Sequence, residues 1–146
     1  PTKHNAVETM LYILKRFPGD KARLATCRKI LEFCEKRFVV WETPANHQEW
    51  PAPSVLEQYS CFTPIDASAA KMIRAYVAMY KAEGRPEDLA KARALADTMT
   101  RVQKSSGRIP TFWDGVEKGR GLSIERYDWL NCMAAAAHAL TLVPQE

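Results

Sequence analysis

Asp66 and Asp128 each stand at the head of a strongly apolar stretch, Asp66–Glu83 and about Asp128–Val143. Two carboxyl groups at equivalent helix starts lie on the same rim of a helical array. Such a pair can divide proton donation and proton acceptance between them. Glu57 and Asp114 are two further acid candidates, in the long non-helical stretches that lead into those helices. The 4 tryptophans fall in the same places: Trp41, Trp50 and Trp113 in the stretches, Trp129 directly after Asp128. Flat aromatic faces pack against C–H groups, while carboxylates and amides bind hydroxyls, and together these are the groups that hold a sugar ring. Tyr59, Arg126 and Asn131 complete the candidate binding set. The plainer alternative is that both aspartates are N-caps, each contributing about 1 kcal/mol, and that the tryptophans pin the loops to the helix ends.

Other chemistries find little support. His4 and His47 have no partner at metal-ligand spacing, so no metal site is expected. His138 lies inside the last apolar stretch and reads as a core histidine. No phosphate loop, nucleophile elbow or dinucleotide fingerprint is present, and no cofactor is expected. Cys27, Cys34, Cys61 and Cys132 form no Cys-x-x-Cys pair. Cys27 and Cys34 are seven apart on the apolar side of a helix and read as core residues.

The elements that must position these groups read as five helices. The first, about Ala6–Phe17, has the Asn5/Glu8 spacing of a capping box and a stripe of Val7, Met10, Leu11, Leu14 and Phe17. The second, about Lys21–Arg37, follows Asp20 as its cap; Leu24, Cys27, Leu31, Cys34 and Phe38 face one way and Lys, Arg and Glu the other. Phe38–Trp41 is a candidate short strand, and Pro44, Pro51, Pro53 and Pro64 rule out a long regular element before Ile65. The third helix, Asp66–Glu83, is apolar almost all round, interrupted by Lys71 and Arg74, and Gly84 stops it. The fourth, about Pro86–Lys104, buries Leu89, Ala92, Leu95, Ala96, Met99 and Val102 on one side. A long loop, about Ser105–Arg126, precedes the fifth helix, which is again apolar almost all round.

Composition bounds the class. The chain has 146 residues, 47% apolar and 26% charged, as expected of one globular domain. The net charge of +4 is mild, and Glu32 and Glu35 sit among the basic residues of the second helix. That pattern is a solvated face, and no nucleic-acid partner is expected. No apolar run reaches the roughly 20 residues of a membrane span, so no membrane partner is expected. No signal peptide is visible, and cytoplasmic and periplasmic locations both stay open. The chain lacks an initiator Met, which points to processing or to a piece of something longer.

A helix, a tight turn, an amphipathic helix and a long loop occur twice, with a period of roughly 60 residues. Three stretches carry a likeness: Leu56-Glu57-Gln58-Tyr59 with Ile65-Asp66-Ala67-Ser68-Ala69-Ala70; Gly107-Arg108-Ile109-Pro110-Thr111-Phe112-Trp113; and Asp128-Trp129-Leu130-Asn131-Cys132. The pattern resembles the six-hairpin (α/α) toroid of many glycoside hydrolases, polysaccharide lyases and sugar epimerases. The resemblance implies an all-α fold, a two-layer array of helical hairpins with the 1–146 domain forming part of a larger toroid. It supplies about two and a half hairpins, as a C-terminal portion or a truncated relative would. It further implies an oligosaccharide or polysaccharide partner at the long-loop end, and glycoside hydrolysis as the commonest chemistry. The alternatives are a non-catalytic helical-repeat module for a peptide or protein, and an inactive half-domain. A toroid cut open exposes apolar edges, so self-association or binding of the remaining hairpins is expected.

Overall fold

The computed structural model describes residues 2–57, 63–114 and 128–144. The described part is mostly helical: α1 (Thr2–Arg16), α2 (Lys21–Phe38), α3 (Asp66–Glu83), α4 (Pro86–Arg101) and α5 (Leu130–Leu142). Between α2 and α3 lies a small antiparallel sheet of β1 (Val39–Val40) and β2 (Ser54–Val55), with Val39 opposite Val55 and Val40 opposite Ser54. The all-α class and the five helices stand.

The third helix is the hub. It packs against α1, α2, α4 and α5 and against β2. Ten of its residues are buried, including Met72, Ile73, Tyr76 and Met79. Its two charged interruptions are satisfied by one acid of α1: the Glu8 carboxylate accepts from Lys71 Nζ at 3.3 Å and from Arg74 at 3.1 Å. Gly84 ends the helix in the left-handed region, φ 71°, and its N–H donates to the Tyr80 carbonyl.

The amphipathic helices bury the stripes the sequence predicts. On α2, Cys27, Leu31, Cys34 and Phe38 are buried, and Asp20 caps the start by accepting from the Arg23 amide at 3.0 Å. On α4, Ala92, Leu95, Ala96 and Met99 are buried. Where α2, α3 and α4 meet, the Arg28 guanidinium forks onto Asp88 at 2.9 and 2.6 Å and donates to Glu83 from Nε at 3.0 Å. Both acids lie near the α3–α4 turn, so this cluster locks the second hairpin to the first.

The ends of three helices correct the sequence reading. The first helix starts at Thr2, which puts Asn5 inside it. The Asn5/Glu8 capping box is therefore absent, because Glu8 is engaged with α3. The N-cap of α3 is Ile65 and that of α5 is Trp129, so Asp66 and Asp128 are not the caps. The fifth helix is not covered all round. It buries Cys132, Ala136 and Ala139 on one side, while Leu130 is 77% exposed and Asn131, Ala134, Ala137 and His138 face outward. Alanine tolerates a wet face, since it is the best helix former and offers little apolar area; an alanine run alone does not distinguish inner from outer. His138 is thus a surface residue rather than a core one.

A layer of short extended segments lies at the start of α3. Leu56 N–H donates to Phe38 O (2.9 Å), Ile65 N–H to Val55 O (3.1 Å), and Trp113 N–H to Pro64 O (2.9 Å). Isolated bridges join Leu56 with Pro64 and Ile65 with Phe112. The prolines do not prevent this, because a proline carbonyl still accepts and each pairing is only one or two residues long.

Candidate functional site

The extended layer brings Thr111 between the two candidate aspartates. The Asp66 N–H donates to the Thr111 carbonyl at 3.0 Å. The Thr111 N–H donates to Asp128 Oδ1 at 3.1 Å, and the Thr111 hydroxyl accepts from the Trp129 N–H at 2.7 Å. One buried residue therefore ties the first residue of α3 to the residues that open α5. Nothing in the sequence marks Thr111, which is an ordinary threonine after Pro110; its importance comes from long-range backbone pairing.

The two carboxyl groups have opposite surroundings. Asp66 is fully buried. Its Oδ1 accepts from the Ala67 amide at 2.6 Å, while its buried Oδ2 has no hydrogen-bond partner among the described residues. Burial pushes the carboxyl up to about 7; the Ala67 amide opposes the rise and the Asp128 charge adds to it. Asp128 is partly open, with its side chain 12% exposed. Its Oδ2 meets Lys104 Nζ at 3.3 Å and Arg108 at 3.2 Å. Burial acts to raise Asp128, but the Thr111 amide and the two cations outweigh it and hold the carboxyl below its ordinary range. At neutral pH the site thus pairs a carboxyl poised near protonation with a firmly ionised carboxylate.

Cys132 and Lys3 border the same place. Burial, then the charges of Asp66 and Glu57, push the Cys132 thiol up to about 11. The Lys3 ammonium, 5% exposed, donates to the carbonyls of Leu56 and Glu57, the latter at 3.0 Å, and to the Ser68 hydroxyl. It bolts the start of α1 to the strap before α3 and to the first turn of α3. Burial lowers Lys3 to about 7, against the attraction of Glu57. Neither Lys3 nor Ser68 stood out in the sequence, where a lysine near a chain start reads as solvated.

The remaining candidates divide. Glu57 is half-buried, its N–H donating to Thr63 O at 3.1 Å. Asp114 is 7% exposed and follows the buried Trp113, whose indole N–H donates to the Pro110 carbonyl at 3.0 Å. Trp129 is 46% exposed and meets Phe112 edge-on with centroids 5.6 Å apart. Asn131 is exposed, and its Oδ1 accepts from the Cys132 amide at 3.0 Å. Trp50 is buried and stacks on His47 at 3.9 Å. Trp41 lies elsewhere, against Tyr76 in the middle of α3, with centroids 6.4 Å apart. Tyr59 and Arg126 lie outside the described residues. The tryptophans therefore do not share one rim: Trp113 and Trp129 flank the aspartates, Trp50 is packing, and Trp41 serves a separate surface. Among the described residues, no cluster of three or more His, Cys, Asp or Glu could hold a metal ion, and no helix is long and apolar enough to cross a membrane.

Comparison of the chain with protein-family models, with curated proteins and with solved structures finds no match in any of the three.

Proposed function

We propose that the chain is a carbohydrate-active helical-hairpin domain of glycoside-hydrolase type, with Asp66 as the acid and Asp128 as the anionic partner. The single observation that carries this reading is the divergence of the two carboxyl groups across Thr111, one buried with an oxygen that has no partner among the described residues, the other held by an amide and two cations. Glycoside cleavage uses two carboxyl groups with separated protonation states. Asp66 supplies its proton to the leaving glycosidic oxygen. A carboxylate held low is a poor base, so Asp128 either attacks the anomeric carbon, water then hydrolysing that ester and returning a proton to Asp66, or stabilises the positive charge there while water attacks and gives its proton to solvent. Trp129 offers the exposed flat face beside them. Because Asp66 is fully buried, the reading requires its carboxyl to become accessible when a sugar binds.

The architecture belongs to the same proposal. The hairpins α1–α2 and α3–α4, followed by α5, form about two and a half hairpins of a toroid. The outward face of α5, headed by Leu130, is where further hairpins or a second copy would pack. The burial of Asp66 favours one competing reading, a non-catalytic module that binds a peptide or protein through its exposed aromatics.

Reducing-end release from a panel of neutral and acidic oligosaccharides tests the two against each other. The catalytic reading expects cleavage that falls about 10²–10⁴-fold in Asp66→Asn and in Asp128→Asn. Absence of cleavage across the panel, together with melting-temperature shifts from a peptide library, would establish the binding module instead.

A further inference from the structure

We infer that Trp41 forms a second sugar subsite, separate from the aspartates and suited to a neutral pyranose ring. A cavity of about 360 Å³ opens between α2 and α4, lined by Glu32, Glu35, Lys36, Val39, Trp41 and Lys91. That volume falls in the range of small-ligand pockets. Trp41 is 37% exposed and packs against the buried Tyr76 ring, the two planes inclined at 46°. It is therefore a held, partly exposed aromatic surface.

The charges around the indole balance. Two carboxylates, Glu32 and Glu35, alternate with two ammonium groups, Lys36 and Lys91. Lys91 Nζ is fixed by the Glu35 carboxylate at 2.6 and 2.8 Å and lies 5.8 Å from the centroids of both Trp41 and Tyr76. A strongly charged ligand would meet as much repulsion as attraction here. A neutral polyhydroxylated ring fits better: its hydroxyls donate to the carboxylates and accept from the ammonium groups, while its C–H face lies on the indole. Tyr76 is ten positions along α3 from Asp66, roughly 15 Å at 1.5 Å per residue. The subsite is thus distant from the acid pair and would grip a remote part of a long chain. This inference shares the carbohydrate reading above but does not need its catalytic step.

The test follows the four indole N–H resonances of the ¹⁵N-labelled chain during titration with cello-, xylo-, manno- and maltohexaose, and with hexagalacturonate. The Trp41 resonance, assigned by its absence in Trp41→Phe, moves saturably with at least one neutral hexamer. Trp41→Ala weakens that Kd roughly tenfold, the loss of one stacking contact of about 1.4 kcal/mol. Trp41→Phe, which keeps a ring, retains most of the affinity, and an unchanged far-UV spectrum shows that both variants are folded. A Trp41 resonance that no neutral hexamer moves overturns the inference, as does tighter binding of hexagalacturonate at Trp41. Cleavage without any Trp41 response sinks the subsite and leaves the acid pair standing. A Trp41 response in a chain that cleaves nothing leaves the subsite standing and sinks the acid pair.

Discussion

Replacing Asp66 with asparagine removes a titration that should leave a distinctive mark on stability. In the folded chain the carboxyl sits near 7, against an ordinary value of 3.8. Between those two pH values the folded state holds a proton that the unfolded state has released. Stability therefore falls as pH rises through this window and levels off above about 7. At 1.36 kcal/mol per pKa unit the full fall is about 4 kcal/mol. The amide side chain of the Asp66→Asn variant stays neutral throughout and can keep the bond from the Ala67 N–H through its oxygen. Urea unfolding of wild type and Asp66→Asn at half-unit steps from pH 4 to 8 isolates the effect, because the coupled neighbours Asp128 and Cys132 titrate below and above this window. The difference between the two stabilities should move by about 4 kcal/mol across the window in favour of the variant. Parallel curves would refute the reasoning, since they would mean that Asp66 ionises as an ordinary carboxylate.

Lys3 should give the opposite slope. Its folded value of about 7 lies below the ordinary 10.5, so wild-type stability rises from pH 7 to 10.5, and Lys3→Met should abolish that part of the rise in an unfolding series extended to pH 10.5. Arg28→Met leaves Asp88, 2% exposed, buried without its bidentate partner, and should cost about 3–5 kcal/mol by urea unfolding at pH 7. Thr111→Val keeps both backbone bonds but removes the acceptor for the Trp129 N–H, and should cost about 1–2 kcal/mol, while Thr111→Ser should stay close to wild type.

Much of the helical frame was legible because its signals are local. The limits of α3 follow from Asp66 opening an apolar run and from Gly84 closing it in a conformation that suits glycine. The stripes of α2 and α4 follow from spacing alone. What was not legible depends on partners far away in the chain. Asp128 looks like a cap, yet its carboxylate is taken by Thr111, Lys104 and Arg108, and α5 begins two residues later. Glu8 looks like half of a capping box, yet it serves Lys71 and Arg74. Trp50 and Trp113 look like binding residues by type, yet both are buried. The pairing of 54–56, 64–65 and 111–113 has no periodicity to announce it, and that pairing is what brings the two aspartates to Thr111.

The central claim is that near neutral pH this site holds one carboxyl at the midpoint of its titration and one that is ionised. Carboxyl ¹³C resonances of the aspartates, followed from pH 2 to 9 and assigned through Asp66→Asn and Asp128→Asn, read it directly. One resonance should titrate near 7 and vanish in Asp66→Asn, while another should titrate below 3.8 and vanish in Asp128→Asn. Titration of both groups together near 4 would contradict the account, because no acid would then remain to protonate a leaving group at neutral pH.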